Sequence, residues 1–227
     1  LQDQLFGEED ANLMMELSYY ELVQRNIFKE EGESFKFFHK KLKDAAYDLL
    51  SEEEKQTLHF NLGQLAAEMM DDQTAANNPS EVFEAASHIC RSQHVSLTGA
   101  MRKLMMLAAK MAKNVYAYDK AQQYLETVIH SFEQAHERDQ KERFAAMELL
   151  ADILASTNQV TEATRVYDLL LQMECTPEQK ISFHARKSEF YLNSFQYQES
   201  ARASAAALES LGQPAISVGS KAWVTIL

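Results

Sequence analysis

The most suggestive polar side chain of the sequence is His39, within residues 35–50, FKFFHKKLKDAAYDLL. It lies where a short aromatic run typical of a strand gives way to a helix-like pattern. An imidazole donates a hydrogen bond to an anion near neutral pH, so His39 could contact a ligand. A histidine that caps a helix or packs at the end of a strand is the alternative, and we favour it for this stretch.

A cluster of lysines surrounds His39 and is the densest basic cluster of the chain: Lys36, Lys40, Lys41 and Lys43. These side chains could face a phosphate or an acidic partner. Asp44 and Asp48 are interleaved with them at helical spacing, so weak surface ion pairs on a solvated helix face are the expected arrangement.

His88, Cys90 and His94 are metal ligands by type but not by spacing. Only Cys90 and His94, four residues apart, share a helix face, whereas a structural zinc site generally needs four ligands. We therefore predict a buried Cys90 thiol beside an exposed His94 imidazole, and no metal site. No nucleophile elbow, paired acid and base, or Cys/His couple stands out, so no catalytic residue and no cofactor are predicted for these residues.

The composition predicts a fold that is nearly all α. The 227 residues include only 6 Gly and 3 Pro, too few for the many tight turns of a sandwich or barrel. Strong helix formers fill most of the other positions. With 46% hydrophobic and 25% charged residues, the chain has the balance of an ordinary globular protein.

Net charge and cysteine content limit the classes of partner and the cellular compartment that we expect. A net charge of −12 opposes binding to nucleic acid, because the field of the whole molecule repels phosphates. Cys90 and Cys175 are far apart and form no disulfide framework, which favours a reducing, cytoplasmic setting. No apolar run reaches the length of a membrane span. The sequence begins with LQDQ and ends with KAWVTIL, so we expect a piece of a longer protein.

The order of the patterns predicts four regions. Residues 1–50 read as a helix that reaches Phe28, a turn over KEEGE, a short strand in SFKFF and a second helix, which suggests the C-terminal part of a winged-helix domain. Residues 51–95 read as connecting helices, which begin with a capping box of Ser51 and Glu54 and continue from Pro79. Residues 96–212 repeat one plan of two helices separated by a short break. Residues 213–227 are the start of a further repeat or a tail.

The breaks of the repeated region, at Tyr118, Val160 and Tyr197, lie 42 and 37 residues apart. A repeat of that length indicates stacked helical hairpins. Helices are predicted at 97–115, 117–135, 140–157, 161–174, 178–194 and 197–211. The predicted fold is therefore all-α, with antiparallel hairpins that form a superhelix.

The middle repeat resembles the tetratricopeptide family. Leu150 and Ala151 fall where that family has its Leu-Gly pair, Asn158 occupies the turn, and Ala163 is the small residue of the second helix. A small residue there lets two helices approach closely. Ala121 and Ser200 take the same place in the flanking repeats.

Several methionines lie on helical stripes: Met14, Met15, Met69, Met70, Met105, Met106 and Met111. Methionine in such a stripe usually gives adaptable core packing. A groove that accepts a helix of a partner is the alternative interpretation. On the predicted helix that contains Met69, one stripe also includes Leu62 and Leu65.

Residues 19–70 resemble the joint between the ATPase module and the helical repeats of STAND-class signalling ATPases. The version in large multidomain serine/threonine and histidine kinases is the most similar. The resemblance rests on short marks: Leu22-Val23, the run from Phe35 to His39, Ala45-Ala46-Tyr47, Leu58-His59 and Gly63-x-Leu65. It implies a nucleotide-binding core and a winged-helix domain, in which His39 would contact the phosphate of ADP. No Gly-x-x-x-x-Gly-Lys-Ser/Thr segment occurs here, so ATP or ADP is expected only in the full-length protein.

Together these observations predict a non-catalytic regulatory or scaffold region of a larger signalling ATPase or kinase. It would bind a protein partner or an effector on its helical repeats and relay that state to the adjoining module. The alternative is a stand-alone tetratricopeptide-like adaptor for a peptide or protein. A spacer that drives dimerisation is a third interpretation. The lining of the repeat surface discriminates: apolar residues suit a helix or peptide, and a dense polar cluster suits a small effector.

Overall fold

The chain is mostly helical, as its composition predicted. The computed structural model describes residues 17–32, 34–94, 96–135 and 140–212. Within those residues it contains eleven helices and one small antiparallel sheet of two strands. Two sets of predictions lie outside the described residues: those for residues 1–16, which include Met14 and Met15, and the start of a further repeat or a tail at 213–227.

The helices and strands follow one another in a simple order. The first helix, α1, is described over 17–24. The remaining elements are β1 Phe28–Glu31, β2 Ser34–Phe37, α2 Lys40–Asp48, α3 Glu52–Met69, α4 Asp72–Asn77, α5 Pro79–Ser92, α6 Gly99–Asn114, α7 Tyr118–Ala135, α8 Gln140–Ser156, α9 Val160–Gln172, α10 Pro177–Asn193 and α11 Tyr197–Ser210. All six helices predicted in the repeated region are present, and their ends lie within two residues of the predicted ones.

The chain divides into two compact units, residues 1–58 and residues 59–227. The division falls inside α3. The four sequence regions predicted above, with boundaries at 50, 95 and 212, are not tested by this division and stay predictions.

The first unit contains the β-hairpin. β1 pairs with β2 from Phe28 opposite Phe37 to Glu31 opposite Ser34, and Gly32 turns the chain with a φ of +66°. The strand predicted in SFKFF is confirmed as β2. The turn predicted over KEEGE is too long, because three of its residues extend β1. The helix predicted to reach Phe28 instead stops at 24, since Asn26 takes a φ of +55° that ends it. The winged-helix assignment stays a prediction.

The second unit is built from helical hairpins. α6 packs on α7, α8 on α9 and α10 on α11, while α5 contacts α6, α7 contacts α8 and α9 contacts α10. The buried apolar residues run as one cluster from α3 to α10, and include Ile89, Met105, Leu125, Ile153 and Leu170. Each hairpin therefore covers the apolar face of its neighbour, which is the arrangement of a helical-repeat fold.

The three hairpins α6–α7, α8–α9 and α10–α11 reverse direction through the same three-residue turn. Its middle residue is left-handed, with φ of 61° at Tyr116, 57° at Asn158 and 60° at Phe195. The amide of the next residue donates to the carbonyl five residues back, over 2.9 Å, 2.9 Å and 2.8 Å respectively. This bond closes the end of each first helix as a Schellman motif. The breaks predicted at Tyr118, Val160 and Tyr197 lie two residues after these left-handed residues and are confirmed.

Small residues lie where the two helices of each hairpin approach. Ala121, Ala163 and Ser200 are all buried, at 0%, 0% and 7% exposure. Ser200 keeps its hydroxyl satisfied, because it donates to the carbonyl of Ser188 over 2.8 Å. A buried polar group without such a partner would be destabilising. The role predicted for these three positions fits their burial.

Gly63 is the point at which α3 touches α5. The buried residues of α3 are His59, Gly63 and Ala67, four residues apart along one side. A Cβ atom on Gly63 would lie 2.7 Å from Cγ1 of Ile89 and 3.2 Å from its backbone nitrogen. The first distance is shorter than real Cβ contacts show and the second is tighter than most of them, so an alanine here would require Ile89 to shift.

We expect Gly63→Ala to destabilise the second unit, although alanine is the better helix former. The gain in helix propensity is about 1 kcal/mol. Overpacking against the fully buried Ile89 costs about 1–3 kcal/mol, so a net loss of up to about 2 kcal/mol should appear in urea unfolding. The matched control is Gly99→Ala in α6, where a Cβ meets nothing within 4 Å. Equal stability of the two variants would contradict the close approach of α3 and α5.

Candidate functional site

His39 is exposed and is the N-cap of α2. Its backbone is extended, with φ −137° and ψ 138°, and its Nδ1 accepts a hydrogen bond from the amide of Lys41 over 3.3 Å. This geometry places the lone pair on Nδ1. It is the helix-capping arrangement that the sequence favoured. The contact of His39 with a nucleotide phosphate is not tested by it and stays a prediction.

The lysines around His39 are exposed, as expected for a solvated face. Lys36 pairs with Glu31 across the β-hairpin, and this partner holds the pKa of Glu31 below its usual value. Within the described residues, Asp44 and Asp48 form no ion pair with the lysines, contrary to expectation. Lys36, Lys40 and Lys43 border an open cavity of about 700 Å³ whose other walls are aromatic.

Cys90 and His94 do not meet in a common site. The Cys90 thiol is half-buried, 3.7 Å from the hydroxyl of Thr127, and burial raises its pKa. The imidazole of His94 is exposed, as predicted, and packs against the ring of Phe60 with 4.3 Å between centroids. Over the part of the chain that the structure describes, no group of three His, Cys, Asp or Glu residues could hold a metal ion.

The other histidine of that sequence cluster, His88, instead pairs with His59. Their Nδ1 atoms lie 2.7 Å apart, a hydrogen bond between α3 and α5 that sequence reasoning missed. A usable signal was the position of His59 four residues before Gly63, on the side of α3 that approaches α5. Since a hydrogen bond holds one proton between the two nitrogens, one of the two rings must accept that bond through an unprotonated Nδ1.

The surroundings of His59 disfavour its protonation. Its side chain is only 5% exposed. Burial lowers its pKa, and the neighbouring His88 and Arg91 lower it further. The unfolded chain therefore binds a proton at His59 more readily than the folded chain does.

We expect the free energy of unfolding to fall as the pH drops below 6.5. Between the lowered pKa of folded His59 and its unfolded value, the unfolded state holds more protons, so the stabilisation is full above that window and lost below it. One proton gives a slope of at most about 1.4 kcal/mol per pH unit. His184, whose pKa burial also lowers, adds a slope of the same sign.

The measurement is urea unfolding at several pH values with His59→Gln. This change should remove the contribution of His59 to the slope of the unfolding free energy against pH and should leave the contribution of His184. The matched control, His94→Gln, removes an exposed imidazole and should keep the full slope of the wild type. A wild-type slope in His59→Gln would show that the pair does not titrate as described.

A charged site joins the first helices of three successive hairpins. Asp152 of α8 accepts from Lys113 of α6 over 3.4 Å and from Arg186 of α10 over 2.7 Å. Arg186 also lies 3.5 Å from Glu148. These side chains are about a third exposed, at 31–39%, so solvent screens each pair and none is a strong stabiliser alone.

An open cavity of about 440 Å³ lies over these side chains, and we call it the first-helix cavity. Its polar lining consists of Lys113, Asp152, Ser156, Tyr167, Arg186, Glu189 and Asn193. Only Tyr167 comes from a second helix, α9. It is 1% exposed, and burial followed by the charge of Asp152 raises its pKa to about 12, so it keeps its proton. The cavity therefore presents both donors and acceptors.

The residues of the first-helix cavity were not among the sequence candidates. One signal in the sequence pointed to them: Asp152 and Glu189 occupy the same place in successive repeats, eight residues before Val160 and Tyr197. Charged residues at one repeat position face the same surface when hairpins stack. Without the structure, the two partners of Asp152, which lie 34 and 39 residues away, could not be chosen.

Comparison of the chain with protein-family models, with curated proteins and with solved structures gives no match. The fold and the site thus define a class, a helical-repeat protein with a polar cavity on its first helices. The resemblances to tetratricopeptide repeats and to STAND-class ATPases stay predictions. Among the described helices, none is long and apolar enough to cross a bilayer.

Proposed function

We propose that the chain is a non-catalytic regulatory or scaffold region that binds a polar effector, or a polar segment of a protein, in the first-helix cavity. The observation that carries the proposal is the position of Asp152, which bonds to two other hairpins at the wall of an open cavity. A ligand bound there contacts three repeats at once.

The same arrangement provides a physical route for a relay. Asp152 pairs with Lys113 on one side and Arg186 on the other, so a ligand that replaces one partner changes the contact between hairpins. Because each ion pair is weak, replacement of one partner by a ligand costs little free energy. Differential contacts of this kind are what a ligand needs to shift a conformational equilibrium.

The charges of the cavity define the kind of ligand. Lys113 and Arg186 face Asp152 and Glu189, a balanced set that suits a ligand with both donors and acceptors. A polyphosphate is disfavoured as a ligand, because the chain as a whole carries a net charge of −12. By the criterion stated above, this polar lining favours an effector or polar segment over an apolar helix at this site.

The adjoining module of the proposal rests on the resemblance to STAND-class ATPases and multidomain kinases. In that setting ATP or ADP binds outside these residues, the chain lies in the cytoplasm, and His39 senses the nucleotide. A stand-alone adaptor that binds a peptide or protein is the second candidate. A phosphate-binding loop encoded upstream of Leu1 would favour the first, and its absence from the reading frame would favour the second.

Replacement of both cations of the cavity, Lys113→Ala with Arg186→Ala, should reduce ligand binding at least about tenfold, because two charged hydrogen-bond donors are lost. The readouts are thermal shift against a panel of polar metabolites and affinity capture with cross-link mapping. Cross-links should fall on α6, α8 and α10. The matched control is Lys120→Ala with Arg165→Ala, which removes the same charge from exposed positions on α7 and α9. Equal losses in the two double variants would reject the cavity.

The nucleotide part of the proposal has its own test in the full-length protein. His39→Leu should speed the release of bound ADP and raise basal activity, since the imidazole contact to the phosphate is lost. His94→Leu, at an exposed imidazole of the second unit, serves as the control. Unchanged ADP retention in His39→Leu would remove the sensor role and leave the first-helix cavity untouched.

A further inference from the structure

A second concave surface lies on other helices of the second unit. It is a groove of about 540 Å³ formed by α3, α4 and α5, and we call it the α3–α5 groove. Its lining includes Leu62, Leu65, Met69, Glu81, Glu84 and His88. None of these residues borders the first-helix cavity.

One wall of the groove is an exposed apolar stripe of α3. Leu62, Leu65 and Met69 are 40%, 55% and 74% exposed. They stand three and four residues apart, the spacing with which a helix meets another helix. α3 contacts its own neighbour α5 through a different side, that of Gly63 and Ala67. The fold of the second unit therefore leaves these large side chains uncovered, which is the mark of an interaction surface.

The two interpretations of the methionine stripes apply to different methionines. Met105 is fully buried in α6, as core packing predicts. Met69 is mostly exposed at the end of the stripe, where core packing is the wrong interpretation. A flexible thioether at the edge of an apolar groove adapts to the side chains of a partner.

The surroundings of the groove are acidic. Glu81 and Glu84 of α5 are exposed along the wall that faces the stripe. In the sequence, residues 56–90 contain five acidic residues and neither Lys nor Arg. The groove thus combines an apolar floor with a negative rim, and no basic side chain of that segment offsets it.

We propose that the α3–α5 groove binds an amphipathic helix of a partner protein, with apolar residues at heptad spacing and Lys or Arg on its flanks. The apolar stripe supplies the contact that a helix in a groove needs, and the rim selects basic flanks. This inference goes beyond the polar ligand proposed for the first-helix cavity and does not depend on it.

Charge also decides against two other occupants. A second copy of the chain would bring the same acidic rim against Glu81 and Glu84, and like charges in contact are unfavourable. The segment 1–16 contains five acidic residues and no basic one, so it meets the same repulsion. The segment 213–227 contains Lys221 and no acidic residue, and its removal is therefore one arm of the test.

The probe is a capped synthetic peptide of three heptads with Leu at a and d and Lys at e and g. Lysine at e and g also opposes pairing of the peptide with itself. Fluorescence anisotropy at about 0.15 M ionic strength measures its binding to the whole chain. We expect binding at least about tenfold tighter than that of a counterpart with Glu at e and g, and of a scrambled peptide of equal charge. Similar affinity of the Lys peptide and either of these two controls would overturn the proposal.

Substitutions in the α3–α5 groove test whether the peptide binds there. Leu65→Ser should weaken binding about tenfold, because a central apolar contact is lost. The matched control is Leu169→Ser, an exposed leucine of α9 that should leave binding unchanged. Glu81→Gln with Glu84→Gln should weaken binding more at low salt than at high salt. Equal effects of Leu65→Ser and Leu169→Ser, with both variants folded by circular dichroism, would place the peptide elsewhere.

Two further measurements assign the groove to another occupant if the proposal is wrong. Dimerisation in light scattering that Leu65→Ser abolishes would assign it to a second copy. Peptide binding that appears only after removal of 213–227 would assign it to that segment. The variant Lys113→Ala with Arg186→Ala should bind the peptide normally, so that failure at one site is distinguishable from failure at the other.

Discussion

Close approach of helices at small residues is the constraint on which the second unit depends. At Gly63 the distance to Ile89 leaves no space for a Cβ atom, and at Ala121 and Ala163 the fully buried side chain is a single methyl group. Three-residue turns bring the helices to these crossings, because the left-handed residue closes the first helix at once. The buried cluster, and therefore the surfaces on both sides of it, follow from this spacing.

The two surfaces of the second unit differ in chemistry because they arise differently. The first-helix cavity contains Lys113, Asp152 and Arg186, which bond across successive repeats and remain partly exposed. The α3–α5 groove forms on a side of α3 that the described helices of the second unit leave uncovered. Its stripe keeps the apolar character that a helix in the middle of the stack would bury. One fold thus presents a polar cavity and an apolar groove.

Periodicity could predict the hairpins, since the spacing of apolar residues and the breaks at Tyr118, Val160 and Tyr197 belong to single helices and turns. It could not predict β1, whose residues Lys29–Glu31 carry turn-like polarity and are held by pairing with β2. It also could not separate Met69 from Met105, because exposure depends on whether another helix covers the stripe. The pairs His59–His88 and Asp152–Arg186 join residues 29 and 34 apart, and only the packing of helices selects such partners.

The short turns within each hairpin restrict how the second unit can change shape. A reversal of three residues, fixed by its own backbone hydrogen bonds, leaves no slack with which the two helices of a hairpin could swing apart. The link from α9 to α10, residues 173–176, carries no such left-handed closure. We therefore expect the hairpins to move as units, and the bond between Asp152 and Arg186 spans the joint between α8–α9 and α10–α11.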